Sequence, residues 1–195
     1  MNHPIDDKGQ SSRFADAVPR AALRYDNTTI WLHWTTVVLV AAQWLGAELV
    51  DFVPDKPMRH LYWSIHISLG ATLALVVATH IWWRLTRGRQ LPDVNSGIAG
   101  VVTRAVHKAL NLLPVALVLL GAAIVLARGW NLFGVLPIPA LPGSSRHVAH
   151  TIGEIHEWTA HVLVLLAGGH AIAALVHEHL LRDGVLQRIV PFPRR

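Results

Sequence analysis

Four apolar stretches dominate this chain of 195 residues, at roughly 30–50, 61–85, 105–127 and 155–176. Each is close to the ~20 residues that an α-helix needs to cross the hydrocarbon of a bilayer. A segment in lipid must satisfy its own backbone hydrogen bonds, so four such stretches predict an all-α, integral membrane four-helix bundle with four transmembrane helices. Composition agrees: 52% of residues are hydrophobic, only 15% are charged, and Trp (8) and His (13) are plentiful. The division expected is a polar N-terminal tail at 1–28, a transmembrane domain at 29–181 and a short C-terminal tail at 182–195. The first 27 residues lack the apolar core of a signal peptide, so no cleavage is expected. Membrane lipid is the first partner implied.

Thirteen of the 17 Lys and Arg flank one side of the predicted membrane: Lys8, Arg13, Arg20, Arg24, Arg84, Arg87, Arg89, Arg104, Lys108, Arg182, Arg188, Arg194 and Arg195. The other side has Lys56, Arg59, Arg128 and Arg146. The positive-inside rule then predicts that both termini are cytoplasmic. Topology accounts for the high isoelectric point, and the basic residues form no single stripe, so no nucleic-acid partner is expected. The chain has no Cys. Disulfides, thiolate-ligated iron–sulfur clusters and covalent c-type haem are thereby excluded, and any redox cofactor must be held non-covalently through nitrogen or oxygen.

The histidines carry the chemistry. His156 and His170 are fourteen residues apart, a separation that turns a helix to within about 40° of four full turns and rises about 21 Å. They share a helix face, one near each membrane surface. His66 and His80 repeat the same spacing in the second helix. Two helices with one internal ruler suggest two ligand layers, and membrane histidines ordinarily face the bundle interior with a partner. A planar macrocycle between helices takes one axial imidazole from each side, giving six-coordinate iron suited to electron transfer. With the termini inside, His66 and His156 lie near the outer surface and form the natural outer pair. At the inner layer His170 has three partners of similar depth, namely His33, His80 and His107. Spacing favours His80 without deciding among them. Gly70, Gly168 and Gly169 are expected to leave room for a flat ring.

Several motifs together resemble the bacterial cytochrome b561 family, which is related to the cytochrome b subunits of nickel–iron hydrogenases. They are RYDNTTIWLHW at 24–34, HISLG at 66–70, WWRL at 82–85, HKALNLLPVALVLLG at 107–121, HEWTAHVLVLLAGGH at 156–170 and VHEHLLRDGVLQRIVP at 176–191. The resemblance implies a bacterial inner-membrane protein with two non-covalent b haems. It implies His33 with His170 as the inner axial pair and His66 with His156 as the outer pair. Lower-ranked cofactor contacts are His80, Arg84 as a propionate partner, and His107. His177 is implied as a quinone-site residue, with ubiquinone or a similar quinone as substrate. His161 and His179 point about 140° away from His156 and are not expected to be ligands.

Function is then expected to be electron transfer between an outer donor, with superoxide one option, and a cytoplasm-side quinone site. An alternative is a cytochrome b subunit that docks a partner dehydrogenase or hydrogenase on the outer face. Lys56, Arg59 and Arg146 would steer an anion to the outer haem. A different class, a histidine-lined metal-ion transporter, would need acidic residues at mid-membrane. Glu48, Asp51, Glu154, Glu157 and Glu178 lie instead toward helix ends.

Overall fold

The computed structural model describes residues 24–92 and 96–192. Most of the predicted N-terminal tail (Lys8, Arg13 and Arg20 included) and residues 193–195 fall outside them. Four helices are long and apolar enough to cross a membrane: α1 (Asn27–Leu49), α2 (Lys56–Thr86), α3 (Gly97–Arg128) and α4 (Arg146–Val176). They run up, down, up and down. Their packing follows chain order: α3 lies most extensively along α4 and α1 along α2, while α2 meets α3, and α1 meets α4, over a smaller area.

The helices extend past the apolar stretches, because the stretch length records only what lipid requires, whereas capping decides where a helix begins. Asp26, Asp55 and Ser145 accept from the backbone N–H groups of Thr29, Met58 and Val148 respectively. With 31 or 32 residues each, α2, α3 and α4 are about 47 Å long, longer than a hydrocarbon core of about 30 Å. Few side chains are buried within the bundle; Ile30, Ser64, Leu73, Val77, Leu117, Ala149 and Leu163 are among them. Large apolar residues such as Leu75, Leu85 and Leu165 face outward, as lipid requires.

One end of the bundle carries a small hairpin between α3 and α4. Strands β1 (Trp130–Leu132) and β2 (Leu136–Ile138) pair antiparallel, Trp130 opposite Ile138. Phe133 and Gly134 both have positive φ at the turn, the conformation that tight hairpins demand. Buried Ser64 holds the hairpin down, its hydroxyl accepting from Trp130 Nε1 at 3.3 Å and from the Phe133 N–H at 3.5 Å. Trp130 also stacks on His60, with ring centroids 4.7 Å apart. This is called the hairpin end below.

At the opposite, terminus end, Asp26 ties three segments together. Its carboxylate caps α1 through Thr29 and accepts from Trp83 Nε1 at 2.9 Å and from the Arg89 N–H at 3.0 Å. The segment after α4 returns to the same place. Trp34 Nε1 donates to the Ile189 carbonyl at 2.9 Å, Arg24 donates to the carbonyls of Val190 and Pro191, and the Tyr25 N–H donates to Arg188. Residues 186–191 are therefore packed against the start of α1. The indole N–H groups of Trp34, Trp83 and Trp130 are used within the protein.

Burial pushes the Asp26 carboxyl up, but the hydrogen bonds from Thr29, Arg89 and Trp83 outweigh it and hold the group well below the usual carboxylate range. A depressed carboxyl contributes stability that is fully present above its unfolded value, about pH 4, and is lost as acid protonates the folded form. Replacing Asp26 with Ala is expected to cost about 1–2 kcal/mol from the lost cap alone. Thermal melts in detergent check this: the difference between wild type and variant should be present at neutral pH and shrink toward acid.

Candidate functional site

The two ends of the bundle each gather histidines. At the hairpin end, α2 presents His66 and α4 presents His156, with ring centroids 6.4 Å apart and ring planes at 72°. Two metal–imidazole bonds of about 2 Å on opposite sides of one iron, extended by each ring's radius, separate axial ring centroids by about 6 Å. The donor set thus fits bis-histidine ligation of a haem.

The surroundings of this pair bear the same mark. Nδ1 of His156 and Oε1 of Gln43 are both buried without a hydrogen-bond partner, and such atoms are uncommon in a finished core. Gln43, a lone amide in the apolar run of α1, reaches the pair by donating to the His66 carbonyl at 3.0 Å. Sequence reasoning missed it; an isolated Gln amid VVLVAAQWLGAE was the signal. Gly121 of α3 lets His156 come close, since a Cβ there would lie 3.4 Å from the His156 ring. Trp63 meets His66 edge-on at 5.4 Å.

Gly70 plays a different part from the one expected. A Cβ there would lie 3.2 Å from Gln43 Nε2, so Gly70 lets the Gln43 amide lie against α2. Beside Gly168 and Gly169, by contrast, a Cβ would meet nothing within 4 Å.

At the terminus end, His33 of α1 has His80, His170 and His107 as electrostatic neighbours, one from each of the other helices. The closest rings are His107 and His170, with centroids 5.2 Å apart at 75°. His33, His80 and His170 are half-buried, whereas His107 is exposed. Asn111 donates to the His107 carbonyl at 2.8 Å. All four imidazoles named from the sequence therefore share this layer.

Arg84, one turn beyond His80, is engaged with its own loop. It donates to the Arg89 carbonyl at 2.8 Å and to the Gln90 amide oxygen at 3.0 Å, and its guanidinium lies 5.2 Å from the centre of the Tyr25 ring. His177 follows the end of α4, where His177–Leu181 form one wider π-helical turn. Its Nδ1 is in direct contact with the Asp183 carboxylate, and the Asp183 N–H returns to the His177 carbonyl at 3.3 Å. Burial pushes the Asp183 carboxyl up, but the His177 ring and the Val185 N–H together outweigh it and lower the group on balance. A carboxylate on Nδ1 fixes which ring nitrogen remains available, as in other imidazole sites.

A bare metal ion ordinarily needs three or more protein ligands within reach. Among the described residues, no group of three His, Asp or Glu side chains adopts that arrangement. The histidines occur as a facing pair and as a four-helix layer about 21 Å away along α4.

A family model described as prokaryotic cytochrome b561 matches residues 24–192. The chain is 30% identical over 175 residues to a Yersinia pestis protein named "Probable superoxide oxidase CybB", covering 88% of this chain and 98% of the relative. It is 27% identical over 173 residues to "Cytochrome b561 homolog 1" of Escherichia coli K12, covering 86% of this chain and 97% of that protein.

Proposed function

The chain belongs to the prokaryotic cytochrome b561 family, and from that premise we propose that it is a di-haem b cytochrome of the inner membrane that carries electrons from superoxide at the outer face to a quinone. The observation that carries this reading is the pair of histidine layers. His66 faces His156 at axial-ligand separation, and a second histidine layer lies one membrane depth away around His170.

Bound in these layers, haem b supplies reversible one-electron chemistry. The protein's residues do the rest. His66 and His156 hold the hairpin-end group; His33 and His170 hold the other. Four of the 17 Lys and Arg mark the hairpin end and thirteen the other side, which makes the hairpin end the outer face and both termini cytoplasmic. Lys56, Arg59, Arg128 and Arg146 then give the outer face the positive field that draws in a small anion. The name of the Yersinia pestis relative favours superoxide as that anion.

Quinone reduction also needs protons at the cytoplasmic side. His177 sits beyond the last turn of α4 with its Nδ1 held by Asp183, which leaves Nε2 to give or take a proton at a quinone oxygen. Replacing His177 with Gln is expected to lower the quinone-reduction rate by about 10²-fold with haem content unchanged. Stopped-flow kinetics on the purified variant would read this.

The test of the whole reading uses proteoliposomes loaded with ubiquinone and exposed to superoxide from an external generator. Reduced b haem and quinol should accumulate, and both should fall when superoxide dismutase is present. Reduction by a partner protein or by quinol, with none by superoxide, would instead make this a docking subunit.

A further inference from the structure

The histidine that the sequence excluded from ligation makes an unusual connection. Glu48, next to last in α1, reaches across to His161 of α4, with Oε1 3.1 Å from Nε2. It joins two helices that otherwise meet over only a small area. The other ring nitrogen, Nδ1, lies 2.9 Å from the Glu157 carbonyl, one turn earlier.

These two contacts constrain the proton count. A carbonyl oxygen only accepts, so Nδ1 must carry a hydrogen. A neutral imidazole has no second N–H, and its Nε2 would then turn a lone pair toward a carboxylate oxygen, acceptor against acceptor. The 3.1 Å contact closes only with one more proton, either on Nε2 as imidazolium with carboxylate or on Glu48 as acid with neutral imidazole. We propose that Glu48 and His161 together form a proton-holding site in the hairpin-end half of the bundle, carrying one exchangeable proton between Oε1 and Nε2.

The setting agrees. With the proton the pair is neutral; without it, one uncompensated negative charge remains between α1 and α4, at a cost that the part-exposure of both side chains reduces. Trp44 meets the His161 ring edge-on at 6.4 Å and Trp158 lies at 6.2 Å on the same ring. The Trp44 Nε1 is buried without a partner. The pair is nonetheless part-open, with side chains 40% and 47% exposed, so the proton has a way in and out.

The other titratable groups on these faces are Asp51, three residues beyond Glu48, and Glu157, one turn before His161. His156, five residues before His161, points about 140° away. Among the described residues, no charged side chain of α2 or α3 forms an ion pair with Glu48 or His161.

A consequence follows that rests on the haem reading. His161 is about 7.5 Å along α4 from His156, close enough in a low-dielectric medium for charge at one to be felt at the other. Where base has removed the shared proton, negative charge added at the hairpin-end layer would favour its return from water, one O–H bond of water breaking to leave hydroxide and one N–H or O–H bond forming on the pair.

The primary test is histidine-ring ¹⁵N NMR of the full-length protein in nanodiscs, with carboxyl infrared spectra of Glu48. The expected result is an Nδ1–H ring sharing one additional proton with Glu48, both signals changing together when base removes it. In Glu48→Gln the amide can donate to Nε2, so the contact survives, and His161 should be a neutral Nδ1–H ring with no such joint step. An Nε2–H ring beside an ionised Glu48 across roughly pH 5 to 9 would overturn the proposal. This measurement on wild type needs no cofactor, so its failure is distinct from failure of the haem reading. In the haem-loaded protein, the hairpin-end potential should fall with rising pH in wild type and lose that slope in Glu48→Gln, while the other potential keeps its behaviour. An unchanged slope in the variant would overturn the linkage.

Discussion

Replacing His66 or His156 with Ala is expected to take haem content from two per chain to one while the bundle stays folded. In the proposed reading each ring would supply half of one axial pair, and a six-coordinate iron that loses one nitrogen would be held far more weakly. The fold should tolerate the change because His66 and His156 meet each other as facing rings 6.4 Å apart, and the link from His156 to α3 runs to a single backbone group, at Leu117. The helix contacts nearby come from elsewhere, such as Gln43 to the His66 carbonyl and Ser64 to the hairpin. A pyridine haemochrome assay beside a circular dichroism spectrum reads both halves of the expectation. Retention of two low-spin haems in either variant would break the pairing.

The terminus-end layer gives the second large effect and the harder choice. Four imidazoles stand there for two axial positions, so removal of a ligand should abolish one haem, whereas removal of a neighbour should only shift its potential. His33→Ala and His170→Ala are each expected to reduce haem content to one per chain; His80→Ala and His107→Ala should keep two. The assignment of His33 rests on the LHW motif, and the structure sharpens the competition, because the His107 ring is already seated 5.2 Å from His170. Loss of haem in His107→Ala with retention in His33→Ala would hand the axial position to α3. Electron paramagnetic resonance of the oxidised variants distinguishes a lost ligand from a moved one.

The spans were legible because lipid imposes a simple rule: length and apolarity suffice to find all four helices. Helix ends were less so, since Asp26, Asp55 and Ser145 act through caps that extend the helices beyond the hydrocarbon. The hairpin was not legible, being two strands of three residues with Pro137 in one of them. Fourteen-residue spacing put His156 and His170 on one face of their helix and His66 and His80 on one face of theirs, because helical phase is a property of one chain segment at a time; shared depth then paired His66 with His156. It could not rank His33, His80 and His107, which depends on how four helices rotate about their own axes. Contacts between distant segments lay beyond pattern altogether. Gln43 under His66, Asp26 under Trp83, and Glu48 on His161 each join residues whose sequence neighbours carry no trace of the partner.

The most direct test of the central claim is haem content per chain in detergent-purified protein expressed with ample haem supply, by pyridine haemochrome assay with a reduced-minus-oxidised spectrum. Two b haems per chain with low-spin spectra are the result this account predicts. A well-folded four-helix protein that binds no haem would contradict it.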